Sequence, residues 1–223
     1  MQRIPLEIYI NKPLELISLE QELPVLNFDS QAKHIGIILH KWIKWICEKQ
    51  VKSIEDMPWQ QITKEYMQTL GVDDKNDLQK ILTITKKMLL ALFKTKRGRW
   101  LIANHEDANN EFAFLVNRKD KEAATYVVDR IFLRSYKKGK KRWIIDFKTG
   151  FDDDNSSAKS MQHQEQVNRY AYYLGKYYTE PIMCGVFYLS SKRWVEWDPI
   201  TTRNLQTPVF EKEFVASNDL VTN

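Results

Sequence analysis

The chain has 223 residues, of which 43% are hydrophobic and 12% aromatic. That composition supports a packed core and argues against disorder over most of the length. The net charge of +5 is by itself only a weak indication of a polyanionic partner. The two cysteines, Cys47 and Cys184, lack metal-ligand spacing, which argues against structural zinc and iron–sulfur sites and fits a reducing compartment.

The hydropathy of the chain argues against a membrane protein. No apolar run approaches the roughly 20 residues of a membrane span. The N-terminal segment mixes charges into its apolar residues and lacks the core of a signal peptide. We therefore expect a cytoplasmic protein without membrane association.

Hydrophobic periodicity predicts a helical first part of the chain. Residues 1–30 contain three prolines and no clean period, and they are predicted to form an extended lead-in. Residues 31–98 are predicted to form a helical subregion. Its helices are expected from about residue 31, from Ser53 or Asp56 to a C-cap at Gly71, and over residues 75–94.

From residue 99 to 223 the pattern changes to short β-type segments around one helix. The helix is expected over about residues 162–178, after a loop over residues 150–160. The expected strands are 100–103, 111–116, 125–133, 143–148, 182–189 and 193–197. This order predicts an α/β fold with a central mixed sheet flanked by helices, the whole chain forming one compact domain.

Two of the β-type segments carry the candidate chemistry. Asp129 interrupts the apolar run TYVVDRIFL, and Asp146 and Lys148 lie two residues apart in RWIIDFKTG. Because alternate residues of a strand share a face, Asp146 and Lys148 are expected to point the same way. The connection SYKKGKKR predicts a hairpin centred between Lys137 and Lys138. That register places Asp129 opposite Asp146, whereas a shift by an odd number of residues would separate the two acids.

The chemistry of these three side chains indicates a metal site. Two carboxylates inside apolar strands repel each other and are costly to desolvate, and a divalent cation relieves both effects. Mg²⁺ needs only one or two protein carboxylates, which Asp129 and Asp146 would supply, and Mn²⁺ is a plausible substitute. Lys148 would orient or deprotonate the attacking water or neutralise charge on the phosphate. A D-x-K pattern by itself more often marks a surface ion pair. The additional acid Asp129 is what favours the metal site over that interpretation.

Two basic groups are candidates for contacts with a polyanionic backbone. Each has the alternative of a solvated turn. The first group is Lys94, Lys96, Arg97 and Arg99, with Arg97 and Arg99 as its candidate contacts. The second group is Lys137, Lys138, Lys140, Lys141 and Arg142, with the four lysines as its candidate contacts.

Taken in order, these motifs resemble the PD-(D/E)XK nuclease superfamily, in particular the RecB/AddA-type domain that ends bacterial helicase–nucleases. The resemblance runs from about residue 31 to 198. KHIGIILHKWIKWI is similar to the family's opening helix, with Gly36 and His40 at its G-x-x-x-H positions. VVDRIF and WIIDFKTG carry the two acids and the lysine, and HQEQVNRYAYYL carries the Q-x-x-x-Y motif as Gln166 and Tyr170. The PD-(D/E)XK motif has a proline before its first aspartate, and this chain lacks a proline before Asp129.

The resemblance implies a restriction-endonuclease-like fold and further roles. His40 would be an added metal ligand or a DNA contact, and the Phe147 carbonyl a main-chain ligand. Gln166 and Tyr170 would belong to the catalytic group, whereas Glu111 is the acidic residue before the first catalytic strand and has a less certain role as a ligand.

The implied activity is exonucleolytic hydrolysis of DNA, with a single strand fed by a helicase, in recombination and double-strand-break repair. The chain has no phosphate-binding loop of the G-x-x-x-x-G-K-[ST] type, so the motor would lie on a preceding segment or another chain. The alternatives are a catalytically silent DNA-binding or assembly module of the same fold, and a structural domain with an accidental match. The intact Asp129, Asp146 and Lys148 argue against the silent module.

Overall fold

The protein is described by a computed structural model for residues 8–9, 28–69, 71, 75–118, 121–150 and 157–199. The helices are α1 (Phe28–Lys49), α2 (Trp59–Thr69), α3 (Lys75–Lys94), α4 (Lys96–Ile102) and α5 (Ser157–Leu174). The strands are β1 (Ile8–Tyr9), β2 (Glu106–Arg118), β3 (Lys121–Tyr136), β4 (Gly139–Lys148), β5 (Ile182–Tyr188) and β6 (Arg193–Trp197). Within these ranges the strands form one sheet in sequence order, antiparallel except for the parallel pair β4–β5. The predicted α/β architecture, a mixed sheet flanked by helices, is confirmed at this level.

Strand β4 runs through the middle of the sheet, and its side chains divide between two cores. It is continuously buried from Arg142 to Phe147, because helices cover both faces of the sheet. Ile145 and Phe147 pack with α1, α3 and α4, whereas Ile144 packs with α5. Since side chains alternate along a strand, Asp146 shares the face of Ile144 and points toward α5.

Helix α1 forms as the periodicity predicted. Its buried apolar residues recur at spacings of three and four, which places them on one face against the sheet. They include Ile35, Ile38, Leu39, Trp42 and Ile46.

The expected strand over residues 100–103 is wrong, because this segment lies in α4. The Thr95 hydroxyl caps that helix by accepting a hydrogen bond from the Gly98 N–H at 2.9 Å. A cap of this kind satisfies a free N–H group of the first turn. Four apolar and aromatic residues were too short a run to distinguish a strand from a buried helical turn.

The start of the second helix also differs from the prediction. Ser53 caps only a short 3₁₀ turn, Ile54–Asp56, and α2 begins at Trp59. Met57 has an extended backbone, as a residue that precedes a proline prefers. The predicted helix end is close to Gly71, whose N–H bonds to the Gln68 carbonyl at 3.1 Å.

The remaining elements differ from prediction mainly at their ends. Helix α5 begins at Ser157, inside the expected loop 150–160, and residues 151–156 lie outside the described part. Strand β1 pairs with β2 and was not predicted, while most of the expected lead-in 1–30 lies outside the described residues. The expected division points near residues 30 and 98 fall inside α1 and α4. None of the helices in the described ranges is both long and apolar enough to cross a bilayer.

Candidate active site

The β3–β4 hairpin has the predicted register. Arg130 pairs with Ile145, and Tyr136 pairs with Gly139 across a two-residue turn. Gly139 has a φ of 120°, a conformation that is open to glycine and strained for other residues. If the pairing continues one residue beyond Arg130 and Ile145, Asp129 lies beside Asp146.

Asp129 is held by two donors from different parts of the chain. Its Oδ1 accepts a hydrogen bond from His40 Nδ1 at 2.9 Å. Its Oδ2 accepts a hydrogen bond from the Phe147 backbone N–H at 2.7 Å. The carboxylate is therefore fixed in orientation by α1 on one side and by β4 on the other.

Helix α1 crosses three neighbouring strands near the site. Gly36 lies against Thr149, just after β4, since a Cβ placed on Gly36 would be 3.8 Å from Thr149 Cγ2. One turn later His40 meets Asp129 on β3, and one further turn later Lys44 Nζ lies 2.9 Å from Glu111 Oε2 on β2. Four residues of a helix advance about 6 Å, close to the ~4.8 Å between strands, so each turn meets the next strand.

Lys41 also reaches Glu111, at 3.5 Å, so two lysines share one carboxylate. These lysines were not singled out from the sequence. The available signal was the spacing of Lys44, which lies four residues after His40 and therefore on the same helix face.

Asp146 is the most deeply buried acid of the site, with 3% of its surface exposed. Its Oδ2 lies 2.9 Å from Lys148 Nζ, and the two groups form an ion pair. Burial, and secondly the charge of Asp129, raise the pKa of Asp146 to about 6 although Lys148 and His40 act in the opposite sense.

Lys148 connects the acids to α5. Its Nζ donates to Gln166 Oε1 at 3.0 Å, and Gln166 Nε2 donates to the Tyr170 hydroxyl at 2.6 Å. Burial acts against the ammonium form, but the ion pair with Asp146 outweighs it and raises the pKa of Lys148. Lys148 is therefore held as a cation at neutral pH.

His40 shows the same balance. Burial lowers the pKa of His40, and the neighbouring Asp129 carboxylate more than offsets that effect, so the net shift is upward. Protonated His40 is then the natural counter-charge of Asp129.

The donor set at this site suits a hard cation such as Mg²⁺. In the described ranges no three His, Cys, Asp or Glu side chains form a group that could hold a metal ion unaided. Mg²⁺ does not need such a group, since one or two carboxylates with water and phosphate complete its shell. The buried Asp146 carboxylate beside Asp129 is the feature that fits this ion, since Lys148 offsets only part of the cost of placing the two acids together. Phe147 gives its N–H to Asp129, and a role for its carbonyl stays a prediction.

The two arginines predicted to contact DNA make contacts within the protein. Arg97 lies between the rings of Trp100 and Trp194, at 4.8 and 4.9 Å, and pairs with Glu196. The Arg99 guanidinium donates to a backbone carbonyl of α3 at 2.9 Å. Their main visible role is in packing α4 against its neighbours.

The lysines of the β3–β4 turn lie at the far end of the hairpin. Lys137 is eight residues from Asp129 along β3, which is roughly 26 Å of strand. Lys140 pairs with Glu106, and Lys141 Nζ lies 3.6 Å from Met183 Sδ. The structure therefore brings His40, both acids, Lys148, Gln166 and Tyr170 together, but not these lysines.

Comparisons with known proteins do not identify a family. No family model and no curated protein matches the chain. Among solved structures, a similar chain is "Crystal structure of SSO0001", with 14% identity and a TM-score of 0.31 over 78% of this chain and 87% of that one.

Proposed function

We propose that this chain is a Mg²⁺-dependent deoxyribonuclease of the PD-(D/E)XK type, which hydrolyses phosphodiester bonds of DNA. The observation that carries the proposal is the pair of acids Asp129 and Asp146 on adjacent strands, with Asp146 buried and its Oδ2 at 2.9 Å from Lys148 Nζ. A protein gains nothing in stability from burying an acid in this way, so a bound cation is the simplest reason for it.

Each residue of the site has a role in this reaction. Asp129 and Asp146 would hold the metal ion, which when bound supplies an activated water and stabilises charge on the phosphate. His40 and the Phe147 N–H orient Asp129 so that its remaining lone pairs face the site. Because His40 Nδ1 is already engaged, a direct contact of His40 with metal or DNA would use Nε2.

Lys148 fits charge stabilisation better than proton abstraction. Its pKa is raised by Asp146, so at neutral pH the ammonium has no lone pair with which to accept a proton from water. It can donate hydrogen bonds to a phosphate oxygen as charge develops there. Gln166, held by Tyr170, limits the positions that the ammonium can occupy.

The finer parts of the proposal rest on the resemblance of the motifs. These are the restriction-endonuclease-like variant of the fold, the exonucleolytic mode, the preference for a single strand, and the association with a helicase in recombination and repair. The order of three antiparallel strands, a helix and a parallel strand supports the fold variant.

The test is a cleavage assay on labelled single-stranded and duplex DNA, in Mg²⁺, in Mn²⁺ and in EDTA. We expect metal-dependent cleavage by the wild type and a loss of at least ~100-fold in Asp146→Asn and Lys148→Met, a range typical for removal of one electrostatic group of an active site. Glu106→Gln, which removes an exposed acid paired with Lys140, is the matched control and should remain active.

Two outcomes would contradict the proposal at different points. Absence of any metal-dependent cleavage by the wild type would reject the nuclease and leave the silent DNA-binding module. Equal activity in Asp146→Asn and in the wild type would reject the assignment of the site.

A further inference from the structure

Helix α3 and the β5–β6 turn enclose a groove beside the candidate site. The groove has a cavity volume of about 420 Å³, within the range of ~300–1,000 Å³ that is common for ligand sites. Its cationic side chains are Lys87 and Lys94 of α3 and Lys192 of the turn, and its accessible apolar surface comes from the half-buried Ile84 and Leu90 of α3. We call it the lysine groove.

The charge of the lysine groove is compensated only in part, by an electrostatic interaction of Lys94 with Glu55. All three lysines are exposed, and none forms a salt bridge with a described residue. No acidic side chain in the described ranges lines the cavity. Three like charges around one cavity repel each other, and a polyanion that lies between them relieves the repulsion.

The lysine groove is joined directly to the strand that carries the site. The Leu189 N–H donates to the Lys148 carbonyl at 2.8 Å, and the Ser190 N–H donates to the Thr149 carbonyl at 3.2 Å. Leu189 packs in the core on the α3 face, whereas Asp146 points toward α5. The groove therefore adjoins the end of β4 on the face opposite to Asp146, so a chain bound at both places would pass around that end of β4.

We propose that the lysine groove binds the unpaired DNA strand next to the scissile phosphate, with phosphates on the lysines and a base on the apolar surface. The identity of the strand rests on the proposed nuclease function. The combination of cations with an apolar surface suits an unstacked base and its backbone, and a cavity of this size is far too small for a duplex.

Lys192 offers a variant that separates binding from folding. Its φ is 58°, a conformation that glycine adopts more easily than lysine. Lys192→Gly therefore removes a charge without adding backbone strain. Combined with Lys87→Gln and Lys94→Gln, both on exposed side chains, it gives a triple variant that should keep the melting temperature of the wild type.

The measurement is fluorescence anisotropy of a labelled single-stranded oligonucleotide in EDTA, where cleavage does not interfere, at several salt concentrations. Each lost phosphate contact should reduce the slope of log K against log salt by about 0.7. We expect the triple variant to lose about two units of slope and at least ~10-fold in affinity at moderate salt. Lys52→Gln/Lys64→Gln, which removes two exposed lysines that do not line the groove, is the matched control and should bind like the wild type.

The outcomes separate this inference from the nuclease proposal. Wild-type affinity in the triple variant, or an equal loss in the Lys52→Gln/Lys64→Gln control, would overturn the groove even if the wild type cleaves DNA. A stronger, equally lysine-dependent affinity for duplex of the same sequence would overturn the single-strand assignment. Groove-dependent binding of the single strand without cleavage by the wild type would support the groove and reject the nuclease.

Discussion

At the scale of single residues, the burial of Asp146 suits its proposed role in metal binding but lowers the stability of the metal-free protein. The burial that raises the pKa of Asp146 to about 6 is also part of its proposed role as a metal ligand. An acid whose pKa is higher in the folded than in the unfolded state binds more protons when folded. Ionised Asp146 therefore destabilises the protein when no metal is present.

We expect Asp146→Asn to stabilise the metal-free protein above pH 6. Below pH ~4 the carboxyl is protonated in both states, and the variant should match the wild type. Between pH ~4 and about 6 the wild type alone loses stability, and above that the difference stays constant. A shift of about two units corresponds to a difference on the order of 3 kcal/mol at pH 8. Urea unfolding in EDTA at pH 4, 6 and 8 measures it, with Glu106→Gln as the exposed control.

A constant difference between variant and wild type across this pH range would show that Asp146 titrates normally. In that case burial would not perturb the acid, and its availability to a metal ion would lose its physical basis.

The sequence revealed only the part of the site that follows from local geometry. Asp146 and Lys148 share a face because strand side chains alternate, and Asp129 follows from a two-residue hairpin turn. The pairing of His40 with Asp129 spans 89 residues and depends on where α1 docks. From the sequence, only the resemblance to a family motif pointed to His40.

At the scale of elements, the helices show where sequence patterns succeed and fail. The long periodic helices α1 and α3 were predicted, whereas the short α4 was read as a strand. In α4 the decisive features are the Thr95 cap and the close packing of Gly98, which an apolar pattern does not contain.

Two glycines in helices should respond in opposite ways to substitution by alanine. A Cβ on Gly98 would lie 2.5 Å from the Leu92 backbone, so Gly98→Ala should cost at least about 2 kcal/mol of unfolding free energy. On Gly36 the nearest atom outside the helix is 3.8 Å away, so Gly36→Ala should be neutral or stabilise by up to about 1 kcal/mol.

Thermal and urea unfolding of the two variants give the comparison. A Gly98→Ala protein as stable as Gly36→Ala would mean that α3 and α4 do not pack as closely as described.

At the scale of the whole molecule, metal binding and stability should be coupled. A cation that binds the folded state and not the unfolded chain raises the free energy of unfolding, by about 2.7 kcal/mol at a hundred times its dissociation constant. We expect Mg²⁺ and Mn²⁺ to raise the melting temperature of the wild type and of Glu106→Gln, but not that of Asp146→Asn. Differential scanning fluorimetry against metal concentration measures the shift, and an equal shift in all three proteins would place the metal elsewhere.

Helix α1 passes over β4, β3 and β2, so it contacts strands that are synthesised well after it. His40 leaves the ribosome long before Asp129, and Gln166 of α5 follows later still, so the candidate site joins segments made at widely separated times. An unfinished chain would carry His40 and both aspartates without Gln166 and Tyr170, so the candidate site would stay incomplete until α5 had been synthesised.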